Sequence, residues 1–266
     1  MLRSAVVIAN ESLPHHASFG GHFAHGLRTR GWRVEVTCSY KPADLVVMWG
    51  VRNRLAIAQQ HAACGEVCIL ERGYLGDRFS MTSVSFGGGL NGRGHFITPI
   101  DPGMERFAAL GVELAPWIDR PGGYALIMGQ VPGDQSIRGF DIDAWYAETA
   151  TRLRADGRWP VKFRPHPGMR NHNRVDPRID RAPDDLAEAL DGAGLVVTWN
   201  SNSAVDAVLA GRPTVAMDAG SMAREVAAHG IALETPDREA WAARLSWCQW
   251  SRDEMRSGFC QEVVGL

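Results

Sequence analysis

Several segments of the chain carry polar side chains just past a strand-like apolar run, and each can do chemistry. Gly129-Gln130-Val131-Pro132-Gly133-Asp134-Gln135-Ser136-Ile137 places an amide, a carboxylate and a hydroxyl around a Pro-Gly turn, where backbone can come close to a ligand. Asp134 can act there as base or nucleophile, or simply cap the turn. Arg164-Pro165-His166-Pro167-Gly168 fixes an imidazole between two prolines beside a guanidinium. Such a pair suits a phosphate oxygen or a leaving group gathering negative charge. A loop histidine bonded to a backbone carbonyl is the plainer account. Thr198-Trp199-Asn200-Ser201-Asn202-Ser203-Ala204-Val205 runs from a strand into a helix start, where orphan N–H groups and the helix dipole favour an anion. N-capping alone needs only one of Asn200, Ser201, Asn202 and Ser203.

Two further groups lie in the first half. His15, His16, Ser18, Phe19, Gly20 and Gly21 follow the first strand and open a helix, where a glycine-rich turn would let a substrate approach the backbone, although the spacing is not GxGxxG. Glu71-Arg72-Gly73-Tyr74-Leu75-Gly76-Asp77-Arg78 follows another strand. It offers Glu71 and Asp77 as reserve bases and Arg72 and Arg78 as cations, or else a solvated loop with internal ion pairs. No P-loop, HExxH or GxSxG pattern occurs. Cys38, Cys64, Cys68, Cys248 and Cys260 form no CxxC pair and have no matching histidines, which points to reduced, mostly buried thiols and no metal site.

The elements that must position these residues alternate as strand and helix, the pattern of parallel α/β architecture. Ala5–Ile8, Arg33–Thr37, Leu45–Trp49 and Val67–Leu70 read as strands, with helices over Gly20–Arg30 and Asn53–Ala63. The Gly-rich Phe86–Gly94 is irregular. The Pro/Gly cluster from Ala115 to Gly123 reads as a linker. Beyond it the alternation restarts: strands at Tyr124–Met128, Val161–Phe163, Leu195–Thr198 and Thr214–Met217. Asp143 is expected to cap a helix reaching Ala155, Asp184 one over Leu186–Leu190, and Ser201 or Asn202 one over Ala204–Ala210 that ends at Gly211. Helices near Met222–His229 and Arg238–Trp247 follow.

At 266 residues, with 45% apolar and 22% charged residues and 29 glycines and 14 prolines scattered along the chain, the composition excludes disorder and fibrous repeats. Met1-Leu2-Arg3 leads directly into a strand-like run and no 18-residue apolar window occurs, so a signal peptide and a membrane span are not expected and a cytoplasmic protein is. The formal net charge of −2 is no polycation, although the positive charge is nearly all arginine and can be concentrated locally.

In order along the chain, Gln130-Val131 with Asp134 and Ser136, His166-Pro167, and Ser201–Ser203 leading into Ala207-Val208-Leu209-Ala210-Gly211-Arg212-Pro213 resemble the capsule-polysaccharide glycosyltransferases of the Kdo-transferase type. The resemblance covers Tyr124 to the C-terminus, including Trp247-Cys248-Gln249-Trp250, Glu254 and Gly258. It implies a GT-B-like α/β fold: two Rossmann-like halves with a cleft between, over residues 1–118 on the acceptor side and 119–250 on the nucleotide-sugar side. Residues 251–266 would form a helical tail returning to the first half. It further implies a metal-independent transferase without a cofactor, moving a sugar from a CMP- or UDP-activated donor to a hydroxyl, most simply of a surface glycan. Asp134 would stand at the reacting centre, with Gln130, Ser136, Arg164, His166, Pro167, Asn200, Ser201, Asn202 and Ser203 around the donor. His15, His16, Gly20, Gly21, Arg72 and Arg78 would lie on the acceptor side. The first half departs from that family: Glu71–Arg78 and Phe86-Gly87-Gly88-Gly89-Leu90-Asn91-Gly92-Arg93 look like uncharacterised tailed-phage proteins. A bacterial or phage-infected host is expected, and DNA carrying hydroxymethylated pyrimidines stays open as acceptor. A nucleotide-sugar epimerase or hydrolase, and a catalytically inactive binding protein, share the fold and stay open too.

Overall fold

A computed structural model describes residues 3–10, 12–169 and 179–266; Met1 and Leu2, which entered the reading of the first strand, lie outside the described residues. Contacts divide the chain into two compact units, Met1–Val112 with Glu239–Leu266, and Glu113–Arg238. From the N-terminus, β1 (Ser4–Ile8), α1 (Pro14–Thr29), β2 (Arg33–Thr37), β3 (Leu45–Trp49), α2 (Arg54–Ala62), β4 (Glu66–Arg72), β5 (Met81–Phe86) and α3 (Glu105–Ala109) belong to the first unit. The second holds β6 (Tyr124–Met128), α4 (Ile142–Asp156), β7 (Val161–Arg164), β8 (Asp180–Arg181), α5 (Leu186–Asp191), β9 (Ala193–Thr198), α6 (Ser203–Leu209) and β10 (Thr214–Ala216). The chain then re-enters the first unit as α7 (Glu239–Ser246), β11 (Gln249–Ser251), α8 (Arg252–Ser257) and α9 (Phe259–Val263).

In the first unit the strand order is β2-β1-β3-β4-β5-β11, parallel through β4, with β5 antiparallel to β4 and β11 antiparallel to β5. The second sheet, β8-β7-β6-β9-β10, is parallel throughout. Both are doubly wound. Order reverses between β1 and β3 in one and between β6 and β9 in the other, and at such reversals the strand ends leave a crevice for ligands.

Pro14 at the first helical position, whose fixed φ suits a helix start, begins α1 ahead of His15. Phe19, Phe23 and Leu27 recur every four residues and are fully buried. Gly20 and Gly21, expected as a glycine-rich turn opening a helix at Gly20, therefore lie inside a helix that already starts at Pro14. A Cβ on Gly20 would stand 3.3 Å from Val7 Cγ1, so glycine lets α1 settle on β1, whereas Gly21 meets nothing within 4 Å. Gly26 is more constrained: its Cβ would overlap the Met255 carbonyl, which marks the close crossing of α1 and α8.

Other expectations shift for local reasons. Asp141, not Asp143, caps α4 by accepting from Ala144 N–H at 3.0 Å, and Asp185, not Asp184, caps α5 by accepting from Glu188 N–H at 2.9 Å. Asn202 takes the cap position of α6 without a side-chain capping bond. Met222–His229 forms only a short 3₁₀ turn over Arg224–Val226. β5, unread in the sequence, is buried at all six positions and so lacks the alternation that marks a half-exposed strand. Glu71 and Arg72 are still within β4, paired with Ser83 and Thr82, rather than in a loop.

The unit boundaries fall at Val112/Glu113 and Arg238/Glu239, against 118 and 250 read from sequence. Ala115 and Ile118 N–H donate to the Leu209 and Gly211 carbonyls, so the Pro/Gly cluster is already bonded into the second unit. At the return, Arg106 lies against the rings of Trp247 and Trp250 at 4.7 and 4.6 Å, pairs with Glu254, and donates to the Ser246 and Gln249 carbonyls. That arginine ties α7 and β11, not only the last residues, to the first unit.

Candidate functional site

In the second unit, the loops after β6 and β9 meet through a closed exchange of hydrogen bonds. Gln130 Nε2 donates to Asn200 Oδ1 at 2.8 Å, and Asn200 N–H donates back to Gln130 Oε1 at 3.1 Å. Asn200 Nδ2 donates to Ser136 O and to Asp218 Oδ1, and Gln130 N–H donates to the Tyr146 hydroxyl. Gln130 is 6% and Asn200 2% exposed. Both amides are spent on the scaffold, so they hold the loops in register. Tyr146 and Asp218, which no sequence signal marked, complete the network.

On this frame sit the groups able to meet a ligand. His166 follows β7, and its Nδ1 accepts from Gly168 N–H at 3.1 Å, which makes Nε2 the protonated nitrogen of the neutral ring. Burial first, then the Arg164 guanidinium, hold its pKa below the ordinary histidine value, while Asp134 pulls the other way. Asp134 therefore lies within electrostatic reach of His166. Arg164 is buried and donates to Asp184 O at 2.6 Å. Gly129 belongs to the same packing, since a Cβ there would stand 2.9 Å from His166 N. Asp134 itself is exposed and caps the turn Gln135–Ile137: its Oδ1 accepts from Ser136 N–H and Oγ, both at 2.9 Å. The plain capping role is thus real, and one face of the carboxylate remains solvent-facing. Ser203 Oγ donates to Ser201 Oγ at 2.8 Å, so these half-buried hydroxyls form a pair at the start of α6. Pro167 opens a short 3₁₀ turn.

In the first unit the ends of β1, β3 and β4 gather a different set. His16 stacks on Trp49 at 5.3 Å and 23°, His15 meets the same indole edge-on at 5.1 Å, and Arg72 lies over Trp49 at 5.5 Å and over Phe79 at 4.7 Å. Burial, followed by the positive charge of Arg72, holds the His15 pKa down; His16 is lowered by burial, then His15, Arg52 and Arg72. Trp49 and Phe79 were missed in the sequence, although Trp49 closes the apolar run Leu45–Trp49 where that run meets the strand-end crevice. Asp77, read as a reserve base, caps a turn by accepting from Phe79 N–H at 2.9 Å, and Glu71 Oε1 accepts from Arg72 N–H.

Cys68, Cys248 and Cys260 are buried and Cys38 and Cys64 exposed; burial pushes the Cys248 thiol up to about 12, which keeps it protonated and inert. Among the described residues no helix is long and apolar enough to cross a membrane.

No protein-family model matches the sequence, and no curated protein matches it. Among solved structures the chain is similar to a KpsC β-Kdo 2,4 transferase of Thermosulfurimonas dismutans, with TM-score 0.55 and 14% identity over 90% of this chain and 89% of that chain. It is also similar to the KpsC β-Kdo 2,7 transferase of the same organism, with TM-score 0.50 and 12% identity over 98% and 99%. The likeness spans both units. The chain has the α/β, GT-B-type fold of two Rossmann-like halves.

Proposed function

We propose that this protein is a glycosyltransferase that moves a sugar from a nucleotide-activated donor, of the CMP or UDP class, to a hydroxyl of a glycan. The observation that carries this reading is the grouping at the ends of β6, β7 and β9: a proton-donating His166, a serine pair and an exposed carboxylate, on a frame locked by Gln130 and Asn200. The second unit would take the donor and the first the acceptor. His166 Nε2–H would donate to the departing phosphate, and Ser201 and Ser203 would bond its oxygens. Asp134 would take the acceptor's proton or attack the anomeric carbon. In the base route the acceptor oxygen bonds the anomeric carbon as the bond to the phosphate breaks, its electron pair leaving on the nucleotide and the acceptor's proton passing to Asp134. In the nucleophile route the Asp134 carboxylate displaces the nucleotide first, and the acceptor oxygen then displaces Asp134 and releases its proton to solvent. Neither step needs a metal in this reading, so chelation with EDTA is expected to leave turnover unchanged.

A thermal-shift panel of CMP, UDP, GDP and their sugars tests the donor side, because a ligand that binds only the folded state raises Tm with its affinity. One nucleotide family should raise Tm, and His166→Ala should abolish the shift. A flat panel would reject the reading. Transfer to DNA containing hydroxymethylated pyrimidines, but not to glycans, would replace the acceptor.

A further inference from the structure

The cluster at the strand ends of the first unit is built differently from a structural core. Arg72 lies between the ring faces of Trp49 and Phe79, and among the described residues its guanidinium donates to no acceptor. Arg52 is exposed and likewise donates to none. The imidazoles of His15 and His16, half-buried with ring centroids 4.5 Å apart, make no hydrogen bond within the described residues and are held by ring contacts with the Trp49 indole and with each other. Phe79 is 69% exposed although it covers an arginine. Of the described carboxylates nearby, Glu71 precedes Arg72 in β4 and accepts from the Arg72 backbone N–H at 2.9 Å, and Asp77 caps its own turn.

An arginine on aromatic faces keeps its in-plane N–H groups available, so its charge is positioned without being neutralised. Aromatic rings at a strand-end crevice also suit the C–H face of a pyranose. Together they ask for a ligand that is both ring-shaped and anionic.

We propose that Arg72, Arg52, His15, His16, Trp49 and Phe79 form an anion-reading saccharide subsite, in which a sugar ring lies on the aromatic faces while its carboxylate or phosphate takes the N–H groups of Arg72. The subsite rests on the acceptor side of the reading above and names the acceptor class: an acidic glycan. Neutral glycans lose the guanidinium bond, and nucleic acid is the competing polyanion.

Binding is measured directly, without donor or turnover, by tryptophan fluorescence and by NMR of the Trp49 indole and the His15 and His16 rings. The probes are trigalacturonate, a phosphorylated trisaccharide, maltotriose as neutral control, and a short single-stranded DNA. Expected is at least about tenfold tighter binding of one or both acidic trisaccharides than of maltotriose, with perturbation of the Trp49 and His16 signals. Arg72→Gln should remove the preference and Arg72→Lys restore part of it. Equal binding of acidic and neutral trisaccharides, an unaltered preference in Arg72→Gln, or tighter Arg72-dependent binding of DNA than of either saccharide would each overturn the proposal. These readouts stay interpretable if no nucleotide binds the second unit, so failure of the transferase reading and failure of the subsite are separable.

Discussion

The two sheets finish their strands with different materials. At the ends of β6 and β9, polar side chains bond one another: Gln130 to Asn200, Asn200 to Ser136 and Asp218, Ser203 to Ser201. At the ends of β1, β3 and β4, rings stack, and the side chains of Arg72 and Arg52 donate to no acceptor among the described residues. A saturated network fixes geometry and leaves few groups for a ligand, which suits holding one donor and its leaving group in one pose. A stacked cluster with unpaired donors pre-positions charge with little geometric restraint, which suits an acceptor read by class.

The largest effect is expected where the frame presents the exposed carboxylate of Asp134. Asp134→Asn keeps the shape and the turn-capping bonds to Ser136 while removing the charge. Turnover should fall by about 10² or more with little change in nucleotide Kd, the pattern of a group needed in the transition state. If Asp134→Asn stays near-normal while Glu71→Gln or Asp77→Asn abolishes transfer, the base belongs to the first unit and the division of labour reverses.

Stability should separate the two regions next. Asn200 is 2% exposed and makes bonds to three partners, so Asn200→Ala strands buried donors and acceptors. It should cost about 1–3 kcal/mol in chemical denaturation. Arg72→Gln removes no hydrogen bond among the described residues and only a half-exposed ring contact, so its cost should stay within about 1 kcal/mol. Equal losses in the two variants would end the contrast.

Sequence reading found the second region more completely than the first, and the reason is physical. Asp134, His166 and the serines lie on short loops directly after strands, so spacing along the chain tracks proximity in space. Trp49, Phe79 and Arg72 come from three separate segments, and only packing brings them together. His15 and His16 were marked in one segment and Arg72 in another, without the indole that joins them. Gly20 and Gly21 set the helix start too late because a GG pair reads as its opening turn, while Pro14 begins the helix earlier and the Phe19–Phe23–Leu27 stripe carries it through the glycines. The networked roles of Gln130 and Asn200 were hidden too: an amide that binds ligand and one that binds scaffold look alike in sequence.

The smallest effect, on pH dependence, has opposite signs in the two regions. His15, His16 and His166 all have pKa values below the ordinary 6.5, burial being the first cause in each. A histidine depressed in the folded state takes up its proton more readily when unfolded. Its contribution is therefore fully present above about pH 6.5 and is lost as pH falls through the folded pKa. Wild-type Tm should accordingly decline on acidification from about pH 8 to pH 5, in part through these three rings. Beside His15 and His16 the nearby charge is the positive Arg72, so Arg72→Gln lets both values rise toward 6.5 and should shrink the decline. Beside His166 the opposing charge is the negative Asp134, so Asp134→Asn lowers its pKa further and should enlarge the decline. NMR titration of the three imidazoles assigns each change to its ring. Shifts of the same sign in both variants would mean that burial alone sets these values, and that the local charges distinguishing the two strand-end clusters do not reach their histidines.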